Sequence, residues 1–435
     1  MKKAALHNLG CKVNAYETEA MQQILENAGY EIVPFTEIAD VYVINTCSVT
    51  NMADRKSRQM FHRAKKMNPD AIVVGAGCYV QTKEAQALVD ESIDIVIGNN
   101  QKHELVTLLN EYEKEHTKQA QIVDINHEKQ EYEELHLKKT AEHTRAFIKV
   151  QDGCNQFCSY CIIPFARGRV RSRKMEDVLN EIKGLAKSGY KEVVLTGIHL
   201  SSYGVDTGET LLSLIEHVHE IEGIERIRLG SLEPRIVTED FAKRLSELTK
   251  ICPHFHLSLQ SGCDSVLKRM NRRYDTAEYE AGCDLLRKYF THPAITTDVI
   301  VGFPGETEED FEDTLDLVNQ VQYDSAFTFL YSVRKGTPAE KFEDQIPEDV
   351  KHARFERLVE AVNEASSKKN AAYVGRIEKV LVEGVSKKNE ATLTGRTEGF
   401  KLVDFAGNRD LIGQMVDVEI TEGKTFSLSG KIVEK

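Results

Sequence analysis

Three cysteines stand at Cys154, Cys158 and Cys161 in the stretch DGCNQFCSYCIIPFARGRVRSR, residues 152–173. Their spacing is CxxxCxxC. A disulfide framework uses cysteines in pairs, and structural zinc takes four protein ligands, commonly from paired CxxC units. No fourth Cys or His lies close by in the chain. A cube of four irons favours thiolates, and three of them leave one iron open to a substrate or cofactor. Zinc stays the alternative on spacing alone. The loop follows a strand candidate, RAFIKVQ (145–151), so it belongs at a C-terminal strand end, where barrel enzymes keep their chemistry.

A second set is dispersed. Cys11, Cys47 and Cys78 each close a strand-like run: AALHNLG, VYVINT and IVVGAG. In an open parallel sheet the carboxyl ends of the strands converge on one edge, so three thiols there can share a second cluster. Taken singly, each reads equally well as a small buried apolar residue. Cys252, Cys263 and Cys283 have no ligand-like spacing and read as core or surface thiols.

The elements that must position these residues follow from the apolar rhythm. Residues 1–118 alternate short apolar runs with helix-like segments, which predicts an α/β domain with an open parallel sheet. Residues 119–143 are polar and charge-rich and read as a linker. In 144–370 six strand candidates are each followed by a helical segment: RAFIKVQ, KEVVLTG (191–197), RIRLGS (226–231), FHLSLQ (255–260), AITTDVIVG (294–302) and SAFTFLYS (325–332). That predicts a barrel or partial barrel. Residues 371–435 carry short strand patterns punctuated by turns, which predicts a small all-β barrel.

Composition narrows the class. The 435 residues allow roughly two to four domains. The chain is 41% hydrophobic and 29% charged, as in soluble globular proteins. MKKAALHNLGC has no apolar segment behind its lysines, and no run approaches membrane-spanning length, so the expectation is a cytoplasmic protein with no membrane partner. Nine cysteines, in a reducing compartment, favour metal or catalytic use over disulfides. The net charge of −13 argues against nucleic acid, but it is unevenly spread. Between Arg145 and Met175 seven basic residues face one acid, Asp152, and DRKSRQMFHRAKK (54–66) is a second basic stretch. Arg167, Arg169, Arg171 and Arg173 alternate as on one face of a strand, which suits a track for RNA phosphates. A solvated surface run is the alternative. The tail is neutral, with ten basic and ten acidic residues from 371 to 435.

The cysteine loop resembles the signature of the radical S-adenosylmethionine (SAM) superfamily. That resemblance implies a partial (β/α)6 barrel, a 4Fe–4S cluster on Cys154, Cys158 and Cys161, and an open iron that chelates the amino and carboxylate groups of SAM. Together with LGCKVNAYETE, INTCSVT and GAGCYVQ, it is similar to the methylthiotransferase family over nearly the whole chain. This implies a second 4Fe–4S cluster on Cys11, Cys47 and Cys78 and a C-terminal TRAM domain. LGCKVN with FCSYCIIPFARGRVRSR most resembles the MtaB-like branch, whose substrate is tRNA carrying N6-threonylcarbamoyladenosine at position 37. Branches acting on isopentenylated adenosine (MiaB-like) or on a ribosomal protein aspartate (RimO-like) share the architecture. A metal-bearing RNA-binding module without catalysis is the alternative of another class. The implied chemistry is SAM cleavage to a radical that takes hydrogen from adenine, followed by transfer of sulfur and a methyl group. Its implied partners are a tRNA anticodon loop, an external one-electron reductant and a sulfur donor.

Strand-end loops then become SAM-pocket candidates: TGIHLSSYG (196–204), GSLEP (230–234), LQSGCDS (259–265) and VGFPGET (301–307). Glu233 suits the methionyl ammonium, and Gln260 and Ser261 the ribose or carboxylate. Asp298 is expected to face the pocket. Gly302 and Gly305 are expected to let backbone approach the adenine. Ordinary turn chemistry explains the same residues, and Thr307 with Glu308, Glu309 and Asp310 makes a helix start. His199 reads as a packing residue. Arg396 and Phe400 are RNA-contact candidates by resemblance to TRAM domains.

Overall fold

The computed structural model describes residues 1–139, 144–387 and 389–433. The first domain runs β1 (Lys3–Asn8), α1 (Lys12–Asn27), β2 (Glu31–Ile32), β3 (Val41–Thr46), α2 (Asn51–Met67), β4 (Ile72–Gly77), α3 (Cys78–Thr82), α4 (Glu84–Val89), β5 (Ile95–Ile97), α5 (Leu105–Glu115) and β6 (Gln119–Gln121). The strands form one six-stranded sheet in the order β2-β1-β3-β4-β5-β6, parallel throughout. VYVINT in β3 is buried at every position, as a central strand covered on both faces must be. Phe61 and Tyr79 pack on one face with Tyr42 and Val73, and Met21, Leu25 and Leu105 on the other with Val43 and Val74.

The segment expected to be a linker is instead a strap. β6 joins the sheet, and Leu135 and Leu137 are buried with Tyr16 of α1. Its polar residues are spent on neighbours: Glu133 accepts from the His103 amide, and the Lys138 amide donates to Gln23. Polar composition here marks interdomain hydrogen bonding rather than free chain. The last linker positions, 140–143, lie outside the described residues.

The central domain runs β7 (Arg145–Asp152), α6 (Ile163–Arg167), β8 (Arg171–Ser172), α7 (Met175–Lys187), β9 (Glu192–Gly197), α8 (Leu211–His219), β10 (Arg226–Leu229), α9 (Glu239–Ser246), β11 (His254–His256), α10 (Asp264–Arg269), α11 (Thr276–Tyr289), β12 (Ala294–Val301), α12 (Glu308–Val321), β13 (Ser325–Leu330) and α13 (Glu348–Ala371). Sheets β10-β9-β7-β8 and β11-β12-β13 are linked by parallel bridges Ile227–Ile251 and Leu232–Leu257. The result is an arc of six parallel strands; among the described residues β13 does not pair with β7. Alternation sends Ala146, Ile148 and Val150 outward into the main helix-covered core. Phe147 and Lys149 point the other way. The first domain fills part of that concave face: Tyr16 and Ala20 of α1 pack on Phe147 and Val194.

The tail folds as a closed barrel, β14 (Ile377–Ser386), β15 (Asn389–Thr397), β16 (Leu402–Ala406), β17 (Met415–Gly423) and β18 (Leu428–Ile432), around Val380, Val382, Leu393 and Phe405. Of the tail positions read as strand or turn, 388, 434 and 435 lie outside the described residues. The barrel caps the N-terminal end of the arc. Arg226 and Arg228 of β10 donate to the carbonyls of Lys379, Arg396, Thr397 and Glu398.

Candidate active site

The central triad sits on one loop after β7. The loop is tied down by its own backbone: Cys154 N–H donates to Gly168 O at 3.0 Å and Cys161 N–H to Cys158 O at 2.9 Å. Ser159 anchors it across the arc, its amide bonding Met270 O and its hydroxyl Arg269 O. Two N–H groups already point at sulfur. The Gln156 amide lies 3.4 Å from Cys154 Sγ, and Arg272 Nη1 lies 3.3 Å from Cys158 Sγ. Burial pushes the Cys154 thiol up to about 11 and the Cys161 thiol up to about 12, with Cys158 adding to both and Arg272 opposing.

The dispersed triad comes together as the sheet requires. Cys11 opens α1, Cys47 follows β3 and Cys78 opens α3, all at C-terminal ends of the adjacent strands β1, β3 and β4. A side-chain carbon at Gly10 would lie 3.1 Å from Cys47 Sγ, so the turn before Cys11 touches the second thiol. Burial pushes the Cys47 thiol up to about 11, and Cys78 and Cys11 add to it. Cys11 keeps open surface, and its Sγ lies 3.8 Å from Asn14 Oδ1. Asn99 Nδ2 donates to Cys78 Sγ at 3.5 Å and to Ala166 O at 2.8 Å.

Asn99 therefore touches both triads' supports, because Ala166 lies in α6, just past Cys161. Helix α6 docks on α3. Arg167 completes the joint: it bonds Glu17 at 2.8 Å, Asp152 at 3.1 Å and Asn14 Oδ1 at 2.7 Å. Lys149 and Lys102 add charge at Glu17 from 2.7 and 3.3 Å. Burial raises the Glu17 carboxyl, but Arg167, Lys102 and Lys149 outweigh it and hold the group well below the usual carboxylate range.

This overturns the expected arginine track. Arg167 and Arg173 are 0% exposed and Arg171 is 4% exposed. Arg173 pairs with Glu181 and donates to Leu135 O, and Arg171 bonds the carbonyls of Arg167 and Arg169. The alternation never forms, because only Arg171–Ser172 is strand. Guanidiniums taken out of water need carboxylate partners, and here they are Glu17 of the first domain, Glu134 of the strap, and Asp152 and Glu181 of the central domain itself. Arg169 alone is exposed, stacked 4.5 Å over Phe157. Phe400 and Arg396 are likewise committed to a joint. The Phe400 ring stacks on His254 at 4.9 Å, with the Arg396, Arg228 and Arg145 guanidiniums 4.2, 4.8 and 5.1 Å away.

The expected SAM residues divide. Glu233 stands beside the central triad; its Oε1 is buried with no hydrogen-bond partner among the described residues, and burial raises its carboxyl against Arg272. The predicted FHLSLQ strand ends at His256, and Gln260 beyond it is buried in the left-handed region, φ 70°, with an isolated bridge to Val299. Such backbone strain in a non-glycine residue is a common feature of functional sites. Asp298 faces the concavity, 3.1 Å from His256 Nε2, but in mid-strand rather than at its end. Ser261 turns away: its hydroxyl accepts from the Cys263 amide and meets Thr314 of α12. Gly302 and Gly305 sit at φ 74° and 81°, where the left-handed backbone favours glycine, and each is also closely packed. A Cβ would lie 2.4 Å from Lys351 Cγ at the first and 2.6 Å from Asp344 Oδ2 at the second. Thr307 caps α12 with Asp310 in a capping box. His199 bonds Ser202 through Nδ1 at 2.6 Å, and its Nε2 is buried without a partner among the described residues. Burial, with Arg272, lowers it to about 4.

Sequence reasoning missed Arg272, Glu17 and Arg334. Arg334 bonds Asp54 at 2.7 Å and Ser48 Oγ at 2.6 Å, fastening the loop after Cys47 to the arc. NRRYD and YSVRKG place these arginines beside turns, but no spacing ties them to a cysteine. Among the described residues no three His, Cys, Asp or Glu side chains close on a single ion. Clusters make no such demand, since each thiolate binds a different iron. Three thiols in each group, N–H donors at sulfur and the orphaned Glu233 oxygen fit a 4Fe–4S cluster at each triad and SAM at the central one.

Comparison with known proteins agrees. Residues 148–318 match the radical SAM superfamily, 3–98 the family described as Uncharacterized protein family UPF0004, and 371–433 the TRAM domain. A tRNA-2-methylthio-N(6)-dimethylallyladenosine synthase of Clostridium botulinum (strain Loch Maree / Type A3) is 44% identical over 430 residues, covering 97% of this chain and 95% of that one. One of Clostridium tetani is also 44% identical, covering 98% and 95%. Among solved structures, the radical S-adenosylmethionine methyltransferase TsrM from Kitasatospora setae shares the fold, with a TM-score of 0.56 and 16% identity over 78% of this chain and 77% of that one. The chain is a sulfur-inserting radical SAM enzyme using SAM and 4Fe–4S clusters. It belongs to the radical SAM methylthiotransferase family. Among the described residues no helix is long and apolar enough to cross a membrane.

Proposed function

We propose that the chain is a tRNA methylthiotransferase that replaces the C2 hydrogen of an N6-modified adenosine in the anticodon loop with a methylthio group. The observation that carries this is the joint of α3, α6 and Arg167, which draws two cysteine triads toward one interdomain space. When bound, the clusters and SAM supply the radical, sulfur and methyl chemistry that acid–base side chains cannot. The six cysteines hold the clusters. Glu233 receives the methionyl ammonium, and the Arg272 guanidinium, beside Cys158, suits the SAM carboxylate. Unpaired loop bases reach such a site without opening a duplex. An external reductant and a sulfur donor complete the partners, and thiols that must stay reduced suit the cytoplasm.

For the N6 group, the relatives' names support dimethylallyladenosine rather than the threonylcarbamoyl form expected from LGCKVN. The test offers reconstituted enzyme two anticodon stem-loops, one with each N6 group, and reads nucleosides by mass spectrometry. Methylthiolation of the dimethylallyl loop alone supports the first assignment and of the threonylcarbamoyl loop alone the second. Product from neither, with SAM cleaved, removes the tRNA reading.

A further inference from the structure

The last strand of the arc breaks the pattern of the others. β10 and β11 are buried throughout, and β7 and β9 almost so, while β13 alternates exposed and half-buried from Ser325 to Leu330. Its outer row meets α13 and, through Ala326, the main core. Its inner row carries Phe327 at 59% exposure and Phe329 at 49%. An isolated apolar residue at the surface needs no explanation, but two aromatic rings on the concave face of a catalytic arc do. The inward faces of β7 and β9 are covered by α1, and the arc's N-terminal end by the TRAM barrel. The inner face of β12 and β13 is left open to a cavity of about 440 Å3, lined by Phe327, Asp298, His256 and Lys12.

The neighbouring row is polar. Asp298 lies opposite Phe327 in the strand register, and the His256 ring centroid is 6.0 Å from that of Phe327. Same-face side chains two residues apart on a strand stand ~6.7 Å apart. A planar base is about 3.4 Å thick. The wall therefore offers ring faces with donors and acceptors beside them, which is how proteins hold unpaired bases. Lys12 at the same cavity suits an attached phosphate.

We propose that Phe327 and Phe329 form the stacking wall for the target purine of the substrate RNA, with the Asp298–His256 pair bonding the edge of the base. This rests on the tRNA reading above. The chain has no tryptophan, so Phe327→Trp creates a single reporter. Titrating the reconstituted Phe327→Trp enzyme with an anticodon stem-loop should quench or shift that emission, and the same strands annealed to their complement should not. Phe327→Ala and Phe329→Ala should each raise the Kd for the stem-loop about tenfold or more. Phe327→Tyr should restore it, with circular dichroism and iron content confirming folding. Unchanged Kd in both alanine variants, or emission blind to the loop while it binds, overturns the proposal. Failure of the wild-type enzyme to bind any stem-loop overturns the tRNA reading instead.

Discussion

The two cysteine triads have the same donors and opposite construction. Cys154, Cys158 and Cys161 share one loop whose own hydrogen bonds shape it, and one guanidinium, Arg272, leans on it. Cys11, Cys47 and Cys78 are brought together by three parallel strands and by a buried ionic joint to another domain. A local triad survives small shifts of tertiary structure. An assembled one inherits every weakness of the sheet edge and joint that make it.

Replacing one ligand in each should separate them most strongly. Cys158→Ala is expected to abolish reductive SAM cleavage. Cys47→Ala should keep SAM cleavage and lose the methylthio product, and in each variant iron should fall from about eight to about four per chain. Iron analysis, electron paramagnetic resonance and product mass spectrometry read this. Loss of both clusters in either variant would merge the triads into one unit.

Next in size, Arg167→Ala takes from the joint the cation shared by Glu17 and Asp152 and leaves Asn14 Oδ1 without its donor, while Lys149 and Lys102 stay at Glu17. Removing one partner of a buried ionic network costs about 3–5 kcal/mol. Denaturant unfolding should show that loss, with iron leaving the dispersed triad before the local one. Equal loss from both would break the contrast. Glu233→Gln keeps the shape of the side chain and removes its charge. It should weaken SAM binding about tenfold or more by calorimetry, since a charged hydrogen bond is lost, without moving iron content.

The smallest effect lies at the far end of the arc. Burial, then Arg228 and Lys12, hold His254 well below its ordinary value. Unfolded chain takes up that proton below about pH 6.5 and folded chain does not, so stability falls as pH drops through that window, by about 1.4 kcal/mol per unit until the folded group titrates. Burial lowers His199 to about 4, so it adds to the same decline. His254→Asn should flatten its share in melts between pH 7 and 5, leaving iron at both triads unchanged.

Legibility followed distance along the chain. The CxxxCxxC loop and the six strands before the helices were readable because each depends on near neighbours. The dispersed triad was readable only through a rule about sheets, that parallel strands end on one edge. The arginines after Cys161 mislead because alternation suggests a strand; Gly168 at φ 71° ends that pattern, and Glu17, which pairs with Arg167, lies far away in sequence. Gly302 and Gly305 misled for a like reason: turn glycines signal close approach, but the approaching groups are Lys351 and Asp344.

By itself the sequence determined the chemistry on offer: which residues are thiols, that three of them share one short loop, and the order of an open sheet, an arc and a small barrel. Those depend on side-chain type and local periodicity. Tertiary structure decided where the charges went. It turned a basic run into a buried joint, put a strap in place of a linker and left one face of β13 bare. Desolvation and partner choice are set by what folds against a residue, and no local pattern carries that.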